Sequence, residues 1–108
     1  MAFAVYLTDD AARDLDDLYE YIATHDLPEN AEHVLAQLEK ALARLADSPQ
    51  RAAHPKELLA LGIRDYREVF FKPYRIIYKV VEKRVYVFLI VDGRRDMRTL
   101  LQRRLLEA

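Results

Sequence analysis

The chain has 108 residues, 52% of them hydrophobic and 32% charged, with no cysteine and a formal net charge of −1. That length fits one domain, residues 1–108, with apolar material for a modest core, and the missing cysteine excludes both a disulfide framework and a thiolate metal site. No run approaches the roughly 20 apolar residues of a membrane span and the segment MAFAVYLTDD carries no basic region, so a cytoplasmic location is the simplest reading.

In chain order, Phe3, Val5 and Leu7 alternate with Ala4, Tyr6 and Thr8, the period-two pattern of a strand. Thr8 and Asp9 offer side-chain oxygens for a helix cap. Ala11, Leu15, Leu18 and Ile22 then recur at helical spacing, with Asp14, Asp16, Asp17 and Glu20 on the remaining surface, to an end near Thr24–His25. Asp26-Leu27-Pro28 reads as a second start, with Asp26 as the cap and proline in the first turn. The stripe Ala31, Val34, Leu35, Leu38, Ala41, Leu42 and Leu45 carries this helix to about Ala46, and Ser48-Pro49 stops it. So few residues separate the two helices that an antiparallel hairpin is expected.

A polar connector, Gln50 to Lys56, leads through Glu57-Leu58-Leu59-Ala60-Leu61 to the stretch Gly62–Asp92, which organises the rest. It reads as three strands joined at Lys72-Pro73 and Glu82-Lys83, rich in Val, Ile, Tyr and Phe. The last strand alternates Val85, Val87, Leu89 and Val91 against Tyr86, Phe88 and Ile90 and is apolar on both faces, as a central strand would be. In the middle strand Arg75 and Lys79 share a face with Ile77. After Asp92-Gly93, Asp96 can cap a short amphipathic helix of Met97, Leu100, Leu101, Arg104 and Leu105. The fold class is therefore α+β: an N-terminal strand expected to join a mainly antiparallel sheet with three C-terminal strands, a helical hairpin packed on one face of that sheet, and a short C-terminal helix. Function is expected on the opposite face and at the C-terminal edge.

Charge is distributed unevenly. Residues 1–60 hold five Lys/Arg against twelve Asp/Glu, and residues 61–108 hold twelve against six, so an acidic helical half faces a basic strand-and-tail half. His25, His33 and His54 lack metal-ligand spacing, and Ser48, the only serine, lies outside any nucleophile elbow. Gly62 and Gly93, the only glycines, form no phosphate-cradling loop, so no metal and no cofactor is implied. What remains is cationic: Arg64, Arg67, Arg75 and Lys79 on strands, then Arg94, Arg95 and Arg98. Guanidinium forks can hold phosphates, stabilise charge developing in RNA cleavage, or pair with carboxylates. For Arg75 the functional and the structural pairing stand equal.

The order of elements, with PYRIIYKV at 73–80 and VYVFLIVDGRRDM at 85–97, resembles the RelE/ParE toxins of type II toxin–antitoxin modules over essentially the whole chain. For a RelE-type ribosome-dependent mRNA endoribonuclease, the resemblance makes Arg75 and Arg95 the two catalytic arginines. It puts Val69 and Phe70 near the lysine positions and Leu101 near the tyrosine position, which removes the proton-transfer partners. The pI of about 6.3 also suits ribosomal RNA poorly. A ParE-type inhibitor of DNA gyrase, blocking replication and causing growth arrest, is the leading reading; a non-toxic adaptor or degenerate toxin is the third. The resemblance implies a cytoplasmic complex with an acidic antitoxin and with gyrase, a toxin–antitoxin hetero-oligomer, and no direct DNA binding by the toxin alone. Target-contact candidates are Arg75, Lys79, Arg94, Arg95 and Arg98; antitoxin-contact candidates are Tyr19, Leu38, Leu42, Arg67 and Arg84.

Overall fold

The computed structural model describes residues 3–107, so residues 1, 2 and 108 of the expected 1–108 domain lie outside it. Its elements are β1 (Ala4–Leu7), α1 (Asp9–His25), α2 (Pro28–Arg44), α3 (Lys56–Leu59), β2 (Tyr66–Phe71), β3 (Tyr74–Val81), β4 (Arg84–Asp92) and α4 (Met97–Leu101), which continues as a π-helical turn, Gln102–Leu106. The strands form a single sheet in the order β1-β4-β3-β2. β2, β3 and β4 pair antiparallel, whereas β1 runs parallel to β4, Ala4 beside Arg84 and Leu7 beside Val87.

Local chemistry accounts for the hairpin. Thr8 caps α1, its hydroxyl oxygen accepting the Ala11 N–H at 3.1 Å. The expected second cap differs: Leu27 holds the cap position of α2 without a side-chain bond, and Pro28 opens the helix. Asp26 instead closes α1, and its carboxylate accepts from the Asn30 side chain at 3.0 Å. The helix ends at Arg44 rather than Ala46, and the chain turns through Leu45. Gly62, at φ +77°, takes the left-handed conformation that ends the short α3 turn, placing the Ile63 N–H 2.9 Å from the Leu58 carbonyl.

Both faces of the sheet carry a core. Leu38, Ala41, Leu42 and Leu45 of the hairpin side pack with Ile76, Tyr78, Val85, Val87 and Ile90. On the other face Ile77, Leu89 and Val91 pack beneath Leu58 of α3 and Met97 and Leu101 of α4. The face on which function is expected is thus half covered by the C-terminal helix. The expected alternation of β4 is also broken. A bulge shifts the register between Ile77 and Tyr78, so that Ile77 pairs with Leu89 and Tyr78 with Val87, leaving Phe88 over. One extra residue exchanges the faces beyond it: Ile90 joins Val85 and Val87 under the hairpin, while Leu89 and Val91 turn to the other core.

Tyr78 is fully buried, and its hydroxyl donates to the Pro49 carbonyl at 2.5 Å; burial pushes its ionisation up to about 12. Tyr78→Phe strands that carbonyl and is expected to lower urea-unfolding stability by about 1–3 kcal/mol. Leu89→Asp places an unpaired charge in the second core and should cost more than about 4 kcal/mol; a Leu89→Asp protein as stable as the parent would refute this assignment of the core.

Candidate functional site

β1 stops opposite Val87, so residues 88–92 of β4 have no strand on their outer side. Two side chains stand in for it. Asp14 of α1 accepts the Ile90 N–H at 3.1 Å, and Arg104 donates to the Phe88 carbonyl at 2.9 Å. The two also bind each other, Arg104 Nη2 to Asp14 Oδ1 at 2.5 Å and Nη1 to Oδ2 at 3.0 Å. Beyond this clamp lies an open groove of about 520 Å³ between α1 and the end of β4. Leu18, Ile22 and Ile90 line its apolar part, Tyr21 and Tyr74 stand in its wall, and Arg94 and Arg95 lie at the rim. Tyr21 is 62% exposed and stacks on His25.

The rim cations differ in their freedom. Arg94 is folded back on Asp92, Nη2 to Oδ2 at 2.6 Å and Nε to Oδ1 at 3.0 Å, which holds the Asp92 carboxyl below its ordinary range. Arg95 is exposed, and no side-chain partner engages its guanidinium among the described residues. Arg98, also exposed, lines a second groove of about 510 Å³ between α3 and α4. Arg94 and Arg95 therefore share a site that Arg98 does not. Lys79 lies on the sheet face, 5.8 Å above the Tyr66 ring.

For Arg75, where function and structural pairing stand equal in the sequence, the structure shows the pairing. Arg75 is 6% exposed, and every nitrogen of its guanidinium is engaged. Nε donates to Glu68 at 2.8 Å, Nη1 and Nη2 grip both oxygens of Glu57 at 2.9 and 2.8 Å, and Nη2 lies 2.6 Å from Glu68 Oε1. Gly93 is pressed against it: a Cβ there would fall 2.6 Å from Arg75 Cδ. Arg75's grip lowers the proton affinity of Glu57, while burial raises that of Glu68, which lies deeper.

Of the antitoxin-contact candidates, Leu38 and Leu42 are core residues and offer an outside partner nothing. The helical stripe that drew attention to them is what buries them. Tyr19 is half-buried between α1 and α2, and Arg67 is tied to the Ala52 carbonyl at 2.5 Å; Arg84 is exposed at the start of β4. In the sequence Asp14 belongs with the solvated acids of α1, and its clamp partner Arg104 lies 90 residues away, beyond the reach of any local pattern. Among the described residues no group of three His, Asp or Glu side chains could hold a metal ion.

A family model described as the ParE toxin of type II toxin–antitoxin system, parDE, matches residues 5–97. Among solved structures, a chain from the chromosomal ParDE TA system from P. aeruginosa superposes with a TM-score of 0.72 at 17% identity, covering 84% of this chain and 96% of that one. No curated protein matches the sequence.

Arg75→Met leaves buried Glu68 and part-buried Glu57 without their cation and is expected to cost about 3–5 kcal/mol at neutral pH. Stranded carboxyls bind protons more tightly folded than unfolded, so part of that loss should return as the pH falls towards 5. The parent has the opposite slope at Glu57, whose lowered proton affinity gives stability that is present at neutral pH and lost on acidification. Urea unfolding across this range checks both signs. Arg95→Ala should leave the melting temperature nearly unchanged; a large loss would give Arg95 a structural role.

Proposed function

The chain belongs to the ParE toxin family of type II toxin–antitoxin systems, whose members pair with an antitoxin, and from that premise we propose that it inhibits DNA gyrase and so arrests growth until its antitoxin neutralises it. The observation that carries this reading is the enclosure of Arg75. A nuclease of the related kind needs cations and a proton-transfer partner around the scissile phosphate. Here one of the two arginines is locked between Glu57 and Glu68, and the resemblance puts the remaining catalytic positions near hydrophobic Val69, Phe70 and Leu101.

The groove at the end of β4 suits such binding. It offers an apolar floor, two tyrosines and a guanidinium whose five donors are uncommitted, a composition typical of protein interfaces. Arg95 is the residue we assign to the target contact, with Arg94 beside it. Arg94 must leave Asp92 to engage a partner carboxylate, and the exchange replaces one ion pair by another.

Purified protein is expected to inhibit gyrase supercoiling and to leave mRNA intact in a ribosome-dependent cleavage assay. Cleavage without gyrase inhibition would overturn the proposal. Arg95→Ala should raise the half-inhibitory concentration about tenfold or more, the loss of one charge-assisted contact, without lowering the melting temperature.

A further inference from the structure

One row of side chains crosses the whole sheet on the face opposite the hairpin. Tyr6 of β1 pairs with Tyr86 of β4, Tyr86 with Lys79 of β3, and Lys79 with Tyr66 of β2. At about 4.8 Å per strand the row is roughly 14 Å long. The Tyr6 and Tyr86 rings stack with centroids 5.6 Å apart and planes 22° apart, and Phe88 meets Tyr66 edge-on at 5.6 Å. Tyr6 is 48% exposed, and Tyr66, Tyr86 and Lys79 are half-exposed. No hydroxyl of the three tyrosines finds a hydrogen-bond partner among the described residues, whereas that of buried Tyr78 does. Exposed Arg84 and Val81 form the next row, and α4 covers only the far half of the face.

We propose that this row is the docking surface for an acidic segment of the antitoxin, separate from the target groove at Arg94 and Arg95. The proposal rests on the toxin–antitoxin reading above. Charge selects the partner. Glu68 is the one strand carboxylate on this face among the described residues, and it is buried against Arg75, leaving Lys79 and Arg84 as the strand charges there. Asp65 and Glu82 lie only in the flanking loops, next to Arg64 and Lys83. Ring geometry selects a polypeptide over a nucleic acid. Bases need ring faces to stack on, and the Tyr6–Tyr86 stack commits one face of each ring to the other while both hydroxyls stay free. Such tyrosines, with an apolar body and a free donor, are the anchors of protein interfaces.

The test uses Tyr6→Glu and Arg84→Glu, both at exposed positions, with the purified product of the adjoining reading frame as the antitoxin. Calorimetry, thermal melting and gyrase supercoiling are run on the same samples. Each variant should weaken antitoxin binding at least about thirtyfold, melt close to the parent and still inhibit gyrase, now without rescue. Parent binding should also fall with added salt more steeply than that of Arg84→Glu. If the parent binds antitoxin and the folded variants bind it within threefold, the docking surface is refuted. Loss of gyrase inhibition with antitoxin binding intact makes the row a target contact and refutes it too. So does tight binding of a labelled single-stranded oligonucleotide by the parent that Tyr6→Glu abolishes. A parent that neither inhibits gyrase nor binds the antitoxin defeats the functional reading itself, and the docking surface with it.

Discussion

A buried arginine holds this protein's second core in place. Arg75 joins three pieces of chain that share no backbone pairing as a group: its own strand, Glu68 on the neighbouring strand and Glu57 on the short α3 turn. A lone guanidinium in that position would carry a desolvation penalty of several kcal/mol. Two carboxylates offset it, and bidentate geometry fixes the height of α3 above the sheet. Leu58, one residue from Glu57, is thereby set against Ile77, Leu89 and Met97. Gly93 packs against the same arginine, so the chain leaving β4 has a fixed exit and Arg94 and Arg95 have a fixed starting point.

The second constraint is the mismatch in strand length. β1 supplies four residues and β4 nine, and the bulge at Phe88 lies just where β1 gives out. An open strand edge exposes unpaired backbone groups and invites unwanted pairing. Here the Asp14–Arg104 clamp satisfies one donor and one acceptor on that edge and joins α1 to the C-terminal turn. The far end of the edge stays open and becomes the groove. Short β1, bulge, clamp and groove therefore form one consequence of a single length difference.

These constraints give the molecule two unlike surfaces. The groove at the end of β4 is apolar with an arginine rim, while the row Tyr6–Tyr86–Lys79–Tyr66 is aromatic and lies on the sheet itself. Separate surfaces allow a toxin to be restrained by a partner that leaves its target contact untouched, or to be released by changing one face alone. An acidic hairpin on the reverse side, carrying most of the Asp and Glu, deepens the contrast in potential between the two sides of the sheet.

The sequence by itself determined whatever depends on near neighbours. The hairpin follows from helical spacing of Leu38 and Leu42, the cap at Thr8 from a hydroxyl three residues ahead of Ala11, and three of the strands from alternating Val, Ile and Tyr. The ParE resemblance was legible too, because PYRIIYKV and VYVFLIVDGRRDM keep their order and spacing. Tertiary structure alone decided what depends on distant partners. Arg75 looked as fit for phosphate as for carboxylate until Glu57, eighteen residues away, closed on it. Leu38 and Leu42 carry the same stripe whether it meets an antitoxin or the sheet. The face swap at Phe88 has no signature in a run that is apolar on both sides, and the aromatic row needs the parallel pairing of β1 with β4, which period-two alternation cannot specify. Periodicity reports which face of an element is apolar; only packing says what covers it.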